Sequence, residues 1–364
     1  MFSFKSKSRA ADKSDKIGRI LVFVYLAMFF CFLVLPLFAL MSKSMQNAEG
    51  VFVGLENFAL YLKEPTLFKS FFHSLFVAFV STIIVVCLGF LYAFALQCTC
   101  IPFKGLFRVV SLIPLLSPSI LAAIALVYWF GNQGVFKEML LGHSIYGPIG
   151  IIMASVYWTF PHALMILSTS LSLSDARLYE ASDALKASKL RTFFTVTIPG
   201  AKYGIISTTF VVFILVFTDF GVPKVIGGNY NVLATDIYRE VVGMQNFQMG
   251  AVISIVLLIP ALLAFALDQF SRKRQASQLT SRAVVYVPKP HRLRDNLLLC
   301  YCLLITALVF LMLGMAQFGA LVKFWPYNLS LTLKHYNFEV AGLGWDSFFN
   351  SVRMSLYAAF FGTI

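Results

Sequence analysis

The sequence predicts an all-α membrane protein with about seven complete transmembrane helices and an eighth still running at the last residue. Three observations predict it. Of 364 residues, 59% are hydrophobic and 12% charged, against about 45–50% and about 25% in an average soluble chain. A soluble domain of this length has too little interior to hide 38 phenylalanines. The apolar residues fall in continuous runs of about 20 or more, long enough to cross a bilayer as helices, without the period-two alternation of barrel strands. The lysines and arginines lie in blocks between those runs. The net charge of +13 therefore reads as a membrane-orientation signal rather than a nucleic-acid face. A soluble enzyme, a disordered tail and a disulfide-stapled module are excluded.

The predicted spans cover about 18–41, 71–97, 106–130, 147–173, 203–227, 248–270 and 295–320, and the last begins near Phe348. The first follows a basic tail over 1–17 containing Lys5, Lys7, Arg9, Lys13 and Lys16. Its apolar run exceeds a signal-peptide core and no A-x-A-like site ends it, so a retained helix is expected. The loops 98–108, 174–202 and 271–294 are rich in Lys and Arg and alternate with poorer ones. The positive-inside rule then puts the N-terminus and these three loops in the cytoplasm, with 42–70, 131–146, 228–247 and 321–347 outside. Cys31, Cys87, Cys98, Cys100, Cys300 and Cys302 lie within or at the ends of apolar runs, show no C-x-x-C, and read as small apolar fillers.

Ser70-Phe71-Phe72-His73-Ser74 opens the second span and Ser347-Phe348-Phe349-Asn350-Ser351 opens the eighth. A second copy of the unit, starting near 295 after the basic linker 271–294, is the simplest reading, and internal repeats are common in transporters. Chance likeness of Phe/Ser-rich helix starts is the alternative. A chain ending inside a span is expected to lack the rest of that second copy, because terminal charges are costly in hydrocarbon.

The loop 174–202 differs from the other basic loops. Ser172 followed by Asp175 fits a capping box. Leu178, Ala181 and Leu185 then fall on one helical face, with Arg177, Glu180, Asp183 and Lys186 on the others. A second apolar run, Phe193 to Ile198, stops at Pro199-Gly200. An interfacial helix lying on lipid is one reading. The mixture of acids and bases favours a docking surface for a cytoplasmic protein, since lipid-surface helices carry few acids.

Four features of the fifth, third and fourth spans could line a transport path. Asp219 lies roughly 24 Å along its span at 1.5 Å per residue. A carboxylate there fits a pathway residue, a partner for Lys224, or a cap on loosened backbone around Gly221 and Pro223. Lys224 could draw an anion or snorkel as an interfacial anchor. Pro114 and Pro118 interrupt the third span, and Pro161 with His162 the fourth; broken helices often border transport paths, while many kinks serve only packing.

Glu180-Ala181-Ser182, with Ile198-Pro199 at the matching distance, resembles the E-A-A loop of ABC importer permeases, whose pattern is E-A-A, three residues, Gly, nine residues, then I-x-L-P or similar. Ala187, Phe194 and Pro199 fit. Ser182 stands where the pattern has Ala and Lys186 where it has Gly. The resemblance covers about 71–270. It implies a multi-span permease of the bacterial inner membrane whose coupling loop sits in a cleft of a cytoplasmic ATPase subunit. Glu180, Ala181, Ser182, Asp183, Lys186 and Pro199 would be the coupling residues. A periplasmic binding protein would deliver substrate, and a second permease half would complete the path. No catalytic residue, metal or cofactor is implied, and no G-x-x-x-x-G-K-[ST] occurs in the chain. Residues 218–238 and 245–250 look like the fused 2-aminoethylphosphonate branch, with ferric iron the alternative cargo of the same fused subfamily. An ion-coupled secondary transporter is the rival class, and it would need ionisable residues near the midplane.

Overall fold

The computed structural model describes residues 13–278, 284, 286–337, 339 and 344–363, with the backbone alone at 13–15, 17 and 272–278. Lys5, Lys7, Arg9 and Arg282 of the predicted basic segments lie outside the described residues. Among the described residues the chain is all-α apart from one small hairpin and an isolated bridge between Gln46 and Phe52. Among the described residues, five helices are long and apolar enough to cross a membrane, or seven if each of two bent helix pairs counts as one span. The chain divides into two compact units, Met1–Lys69 with Asp236–Ile259, and Ser70–Thr235 with Pro260–Ile364.

In the first unit, α1 (Lys13–Phe29) runs through a π turn, Phe30–Val34, into α2 (Leu35–Ser44). The most apolar 18-residue window of Gly18–Ser44 holds no buried residue, as a helix facing lipid does, and only Ser44 at its end is buried. The short α3 (Glu56–Lys63) follows. The Asn57 side-chain amide donates to the carbonyls of Ser44 and Gln46, 2.9 Å each, which satisfies backbone acceptors left open at the end of α2. Elsewhere in this unit Arg239 bridges two buried carboxylates, Asp236 and Glu240, at 3.3 Å each.

The second unit holds most of α4 (Pro65–Cys98). It continues through α5 (Lys104–Leu112), α6 (Ser119–Phe130), α7 (Pro148–Ser172), the loop helices α8 (Ala176–Ala184), α9 (Lys189–Thr192) and α10 (Ile198–Gly200), then α11 (Lys202–Phe217) and α12 (Gly221–Ile226). After α13 (Leu233–Tyr238), α14 (Phe247–Gln278) leads to α15 (Arg292–Leu321). Strands β1 (Val322–Phe324) and β2 (Asn328–Leu331) pair antiparallel before α16 (Gly344–Thr363). The hairpin falls in what the hydropathy pattern leaves as a loop. Helices pack closely where small residues allow it. Gly204 of α11 lies against Ser170 of α7, and Gly89 of α4 against Ala163 of α7. Tyr301 of α15 donates its hydroxyl to the Leu88 carbonyl at 2.8 Å.

Two of the expected interruptions are present and one is corrected. The third predicted span, 106–130, is two helices set at 99°, parted at Ser117-Pro118. The fifth, 203–227, ends its helix at Phe217 and restarts at Gly221. Pro161 does not interrupt the fourth: α7 runs through it, with Pro161 buried. Neighbouring helices in a bundle tolerate the hydrogen bond that a proline removes. The two similar helix starts share a detail, since Ser74 donates its hydroxyl back to the Ser70 carbonyl and Ser351 to that of Ser347, both at 2.9 Å.

Candidate functional site

The loop between α7 and α11 is built almost entirely of helix. Asp175, not Ser172, caps α8: its carboxylate accepts from the Arg177 backbone N–H at 3.1 Å. Ser172 is the last residue of α7 and bonds back to the Thr169 carbonyl, so it is spent on the preceding helix. The cap hydrogen bond holds the Asp175 carboxyl below its usual range.

At its other end α8 closes with a left-handed residue. Lys186 has φ +49°. Its N–H bonds the Asp183 carbonyl and the Ala187 N–H bonds the Ser182 carbonyl, both at 3.0 Å. This pair of bonds is a Schellman closure with Lys in the place that favours glycine. The glycine in the family pattern thus has a conformational reason at this position.

The buried face of α8 is Ala176, Tyr179 and Ser182. Tyr179 donates to the Thr197 hydroxyl at 3.2 Å, and the Ser182 and Thr192 hydroxyls are bonded at 2.7 Å. Burial pushes the Tyr179 phenol up to about 12. These polar contacts tie α8 to the run Lys189–Gly200. They also turn the predicted apolar face outward. Leu178 is 55% exposed and Leu185 82% exposed, with Ala181 and Glu180 exposed beside them. Leu190 and Phe194 are exposed on the second segment. The loop therefore presents an apolar strip flanked by one carboxylate.

The remaining loop residues sort by geometry. Ser182, expected at the docking surface, is turned inward and only 7% exposed. Asp183 is half-buried and takes Lys189 on one carboxylate oxygen and Lys289 on the other, 3.0 Å each. Lys186 and Pro199 are exposed. Pro199 follows a π turn at Phe193–Thr197 and precedes a 63° bend into α11. A widened turn is a common answer to the N–H that proline lacks.

The pathway candidates do not form one cluster. Asp219 acts as a cap: its carboxylate accepts from the Val222 N–H at 3.0 Å, the Gly221 N–H at 3.3 Å and the Ser119 hydroxyl at 2.9 Å. Lys224 sits on the exposed side of α12. Pro114 is buried in a single 3-10 turn, Ile113–Leu116, and Pro118 immediately precedes α6. His162 stands edge-on to Trp158, ring centres 5.7 Å apart. The contact that sequence reasoning missed is the approach of residues 284 and 286–291 to α8, which joins positions about a hundred apart and leaves no periodic signal.

Comparison with known proteins gives a consistent result. Residues 102–276 match the family described as binding-protein-dependent transport system inner membrane component. The ferric transport system permease protein FbpB of Actinobacillus pleuropneumoniae is 28% identical over 281 residues, covering 74% of this chain and 40% of its own length. FbpB 1 of Haemophilus influenzae, also named for ferric transport, is 28% identical over 320 residues, covering 81% and 49%. The spermidine/putrescine permease PotB of Escherichia coli is 28% identical over 214 residues, covering 56% of this chain and 78% of its own length. The chain thus spans about half the length or less of the ferric relatives. A bacterial alginate ABC transporter, solved with an alginate-bound periplasmic protein, contains a chain that aligns with a TM-score of 0.56 at 14% identity, covering 75% of this chain and 98% of that one. Its fold is shared. The matched stretch 102–276 includes the whole E-A-A-like loop, so this part of the chain is similar to the inner-membrane components of binding-protein-dependent transport systems.

Proposed function

We propose that this chain is a permease subunit of an ATP-driven importer, and that the loop 174–202 is where an ATPase subunit docks. The observation that carries the reading is the outward strip of Leu178, Ala181 and Leu185 beside Glu180. An amphipathic helix whose apolar face is left exposed among the described residues is suited to a hydrophobic cleft in a partner. Hydrolysis belongs to that partner. The charge pattern of the loops supports a cytoplasmic N-terminus and, with it, a strip on the ATPase side of the membrane. A periplasmic binding protein and a second permease half complete the assembly. The repeated helix start at 347–351 supports an in-chain origin for that half.

For the cargo, ferric iron is the reading better supported, since alignments over 320 and 281 residues are to permeases named for ferric transport. The phosphonate expectation is carried by the segments 218–238 and 245–250 alone. Pull-down of candidate host ATPase subunits by the membrane-embedded chain, wild type against Glu180→Lys, tests the docking. Retention that drops sharply in the variant is the expected result. Equal retention by both would sink the assignment of Glu180. Iron-dependent against phosphonate-dependent growth of a host lacking the transporter separates the two cargoes.

A further inference from the structure

The docking helix does not stand alone on its side of the molecule. The segment preceding α15 lies across it and touches it in three chemically different ways. The Ala176 N–H donates to the Val284 carbonyl at 2.8 Å. The rings of Tyr179 and Tyr286 stack with centres 4.0 Å apart. Lys289 donates to Asp183 at 3.0 Å, on the carboxylate oxygen that Lys189 leaves open. The same segment is gripped from its other side. Arg294 of α15 donates to the Lys289 carbonyl at 2.8 Å, and the Cys100 thiol approaches the Pro288 carbonyl at 3.2 Å. Between segment and loop lies a cavity of about 940 Å³ floored by Phe94, Cys98 and Phe193.

We propose that residues 284 and 286–291 form a strap that sets the pose of α8 relative to α15, so that Tyr286 and Lys289 are positioning residues for the docking of an ATPase subunit. The reasoning is geometric. Helix α8 has nine residues, too few to hold a pose by its own hydrogen bonding. Its inward contacts to Thr192 and Thr197 fix it against the adjacent loop only. The strap adds a hold at the start, middle and end of the helix: Ala176, Tyr179 and Asp183. Pro288 and Pro290 stiffen the strap by fixing φ. The outward strip of Leu178, Ala181 and Leu185 is left uncovered by these contacts, so strap and ATPase do not compete for one face. Force applied to α8 by a partner would reach α15 through this segment.

The inference rests on the docking reading of α8, and its test separates the two. The full chain is placed in lipid nanodiscs as wild type, Tyr286→Ala, Lys289→Glu, Tyr286→Phe and Lys289→Arg. Amide hydrogen exchange over 176–184 is measured without any ATPase, and retention of host ATPase subunits is measured in parallel. Tyr286→Ala and Lys289→Glu are expected to speed exchange several-fold and to lower retention roughly fivefold, the range set by loss of one exposed ion pair or ring contact. Tyr286→Phe keeps the stack and Lys289→Arg keeps the charge, so both should behave as wild type. Unchanged exchange in the disruptive variants would overturn the strap. Faster exchange with undiminished retention would overturn its positioning role. Wild type that retains no ATPase would overturn the docking reading, and with it the positioning role, while the exchange data alone would decide whether the strap holds α8.

Discussion

The Ser119 hydroxyl donates to the Asp219 carboxylate at 2.9 Å, and this single bond joins the break before α6 to the break between α11 and α12. Ser119 is the first residue of α6, beyond the 99° bend at Pro118. Asp219 sits in the gap between α11 and α12 and caps the latter through Gly221 and Val222. A Cβ at Gly221 would come within 2.6 Å of the Ser119 hydroxyl and force it to shift. A carboxylate among apolar helices is costly unless its lone pairs are used, and here three donors use them.

The pairing predicts a measurable coupling. Asp219→Ala removes a cap and should cost about 1–2 kcal/mol, and Ser119→Ala about 1 kcal/mol. The double variant should cost less than the sum by about 1 kcal/mol. Thermal unfolding of the four proteins in one detergent gives the cycle. Strictly additive shifts would show that the bond contributes nothing. Asp219→Asn keeps a carbonyl acceptor and should lie between wild type and alanine.

A second prediction concerns Lys186. A non-glycine residue at φ +49° carries a steric cost of roughly 1 kcal/mol. Lys186→Gly should therefore tighten the end of α8, seen as about fivefold slower exchange of the Lys186 and Ala187 amides that close the turn. Lys186→Val should speed it. Equal rates in all three would mean that the left-handed closure is not formed.

Much of the fold is legible in the sequence because hydropathy alone dictates it. The cores of α4, α7, α14 and α15 coincide with predicted spans, since a long apolar run has no other stable place in the chain. Asp175 and the outward face of α8 were not legible. Ser172 matches a capping pattern but belongs to the end of α7, and a pattern cannot tell where the previous helix stops. Leu178, Ala181 and Leu185 share a face, as periodicity predicts. The hydroxyls of Tyr179 and Ser182 decide which way that face points, through Thr197 and Thr192. The strap at Tyr286 and Lys289 joins segments far apart in the chain, and no local signal marks such a contact.

The outward strip gives a third prediction. Leu178→Glu places a charge where an apolar cleft is expected, at a side chain already 55% exposed. Fold stability should change by less than about 0.5 kcal/mol. ATPase retention should fall about tenfold or more, the usual effect of desolvating an unpaired charge at a contact. A normal melting temperature with normal retention would remove Leu178 from the docking face.

The Asp183 bridge has a defined pH window. Hydrogen bonds from Lys189, then Lys289, hold its carboxyl below the usual range, and the bond to Asp183 pushes Lys289 up. A depressed carboxyl contributes above its unfolded value, ~3.9, and the contribution is lost as pH falls through the folded value. A raised ammonium contributes fully below ~10.4 and loses this as pH rises past it. The charges of Tyr286 and Glu180 also act on Lys289, in the same direction as Asp183. The bridge should hold unchanged from about pH 5 to about pH 9.5 and weaken in about 1 M salt, because it is exposed. Spin labels at Leu190→Cys and Pro290→Cys in a cysteine-substituted background report it. Their distance distribution should broaden with salt and stay constant across that pH range. A change near neutral pH would point to a different group.

The last prediction concerns the stem of the loop. Ser170 precedes the segment 174–202 and Gly204 follows it, and the two meet so closely that a Cβ on Gly204 would lie 2.3 Å from both the Cβ and the Oγ of Ser170. Real side chains do not tolerate that distance, so Gly204→Ala must push α7 and α11 apart. Overpacking of this kind costs about 1–3 kcal/mol. The midpoint of thermal aggregation in detergent should drop, and Ser170→Gly added to Gly204→Ala should restore most of it, because the clash is with Ser170 alone at that range. The separation also widens the base on which α8 is mounted. ATPase retention should therefore fall in the single variant and recover in the double. An unchanged midpoint for Gly204→Ala would show that the two helices do not approach this closely. A lowered midpoint with full retention would show that the loop keeps its pose independently of its stem.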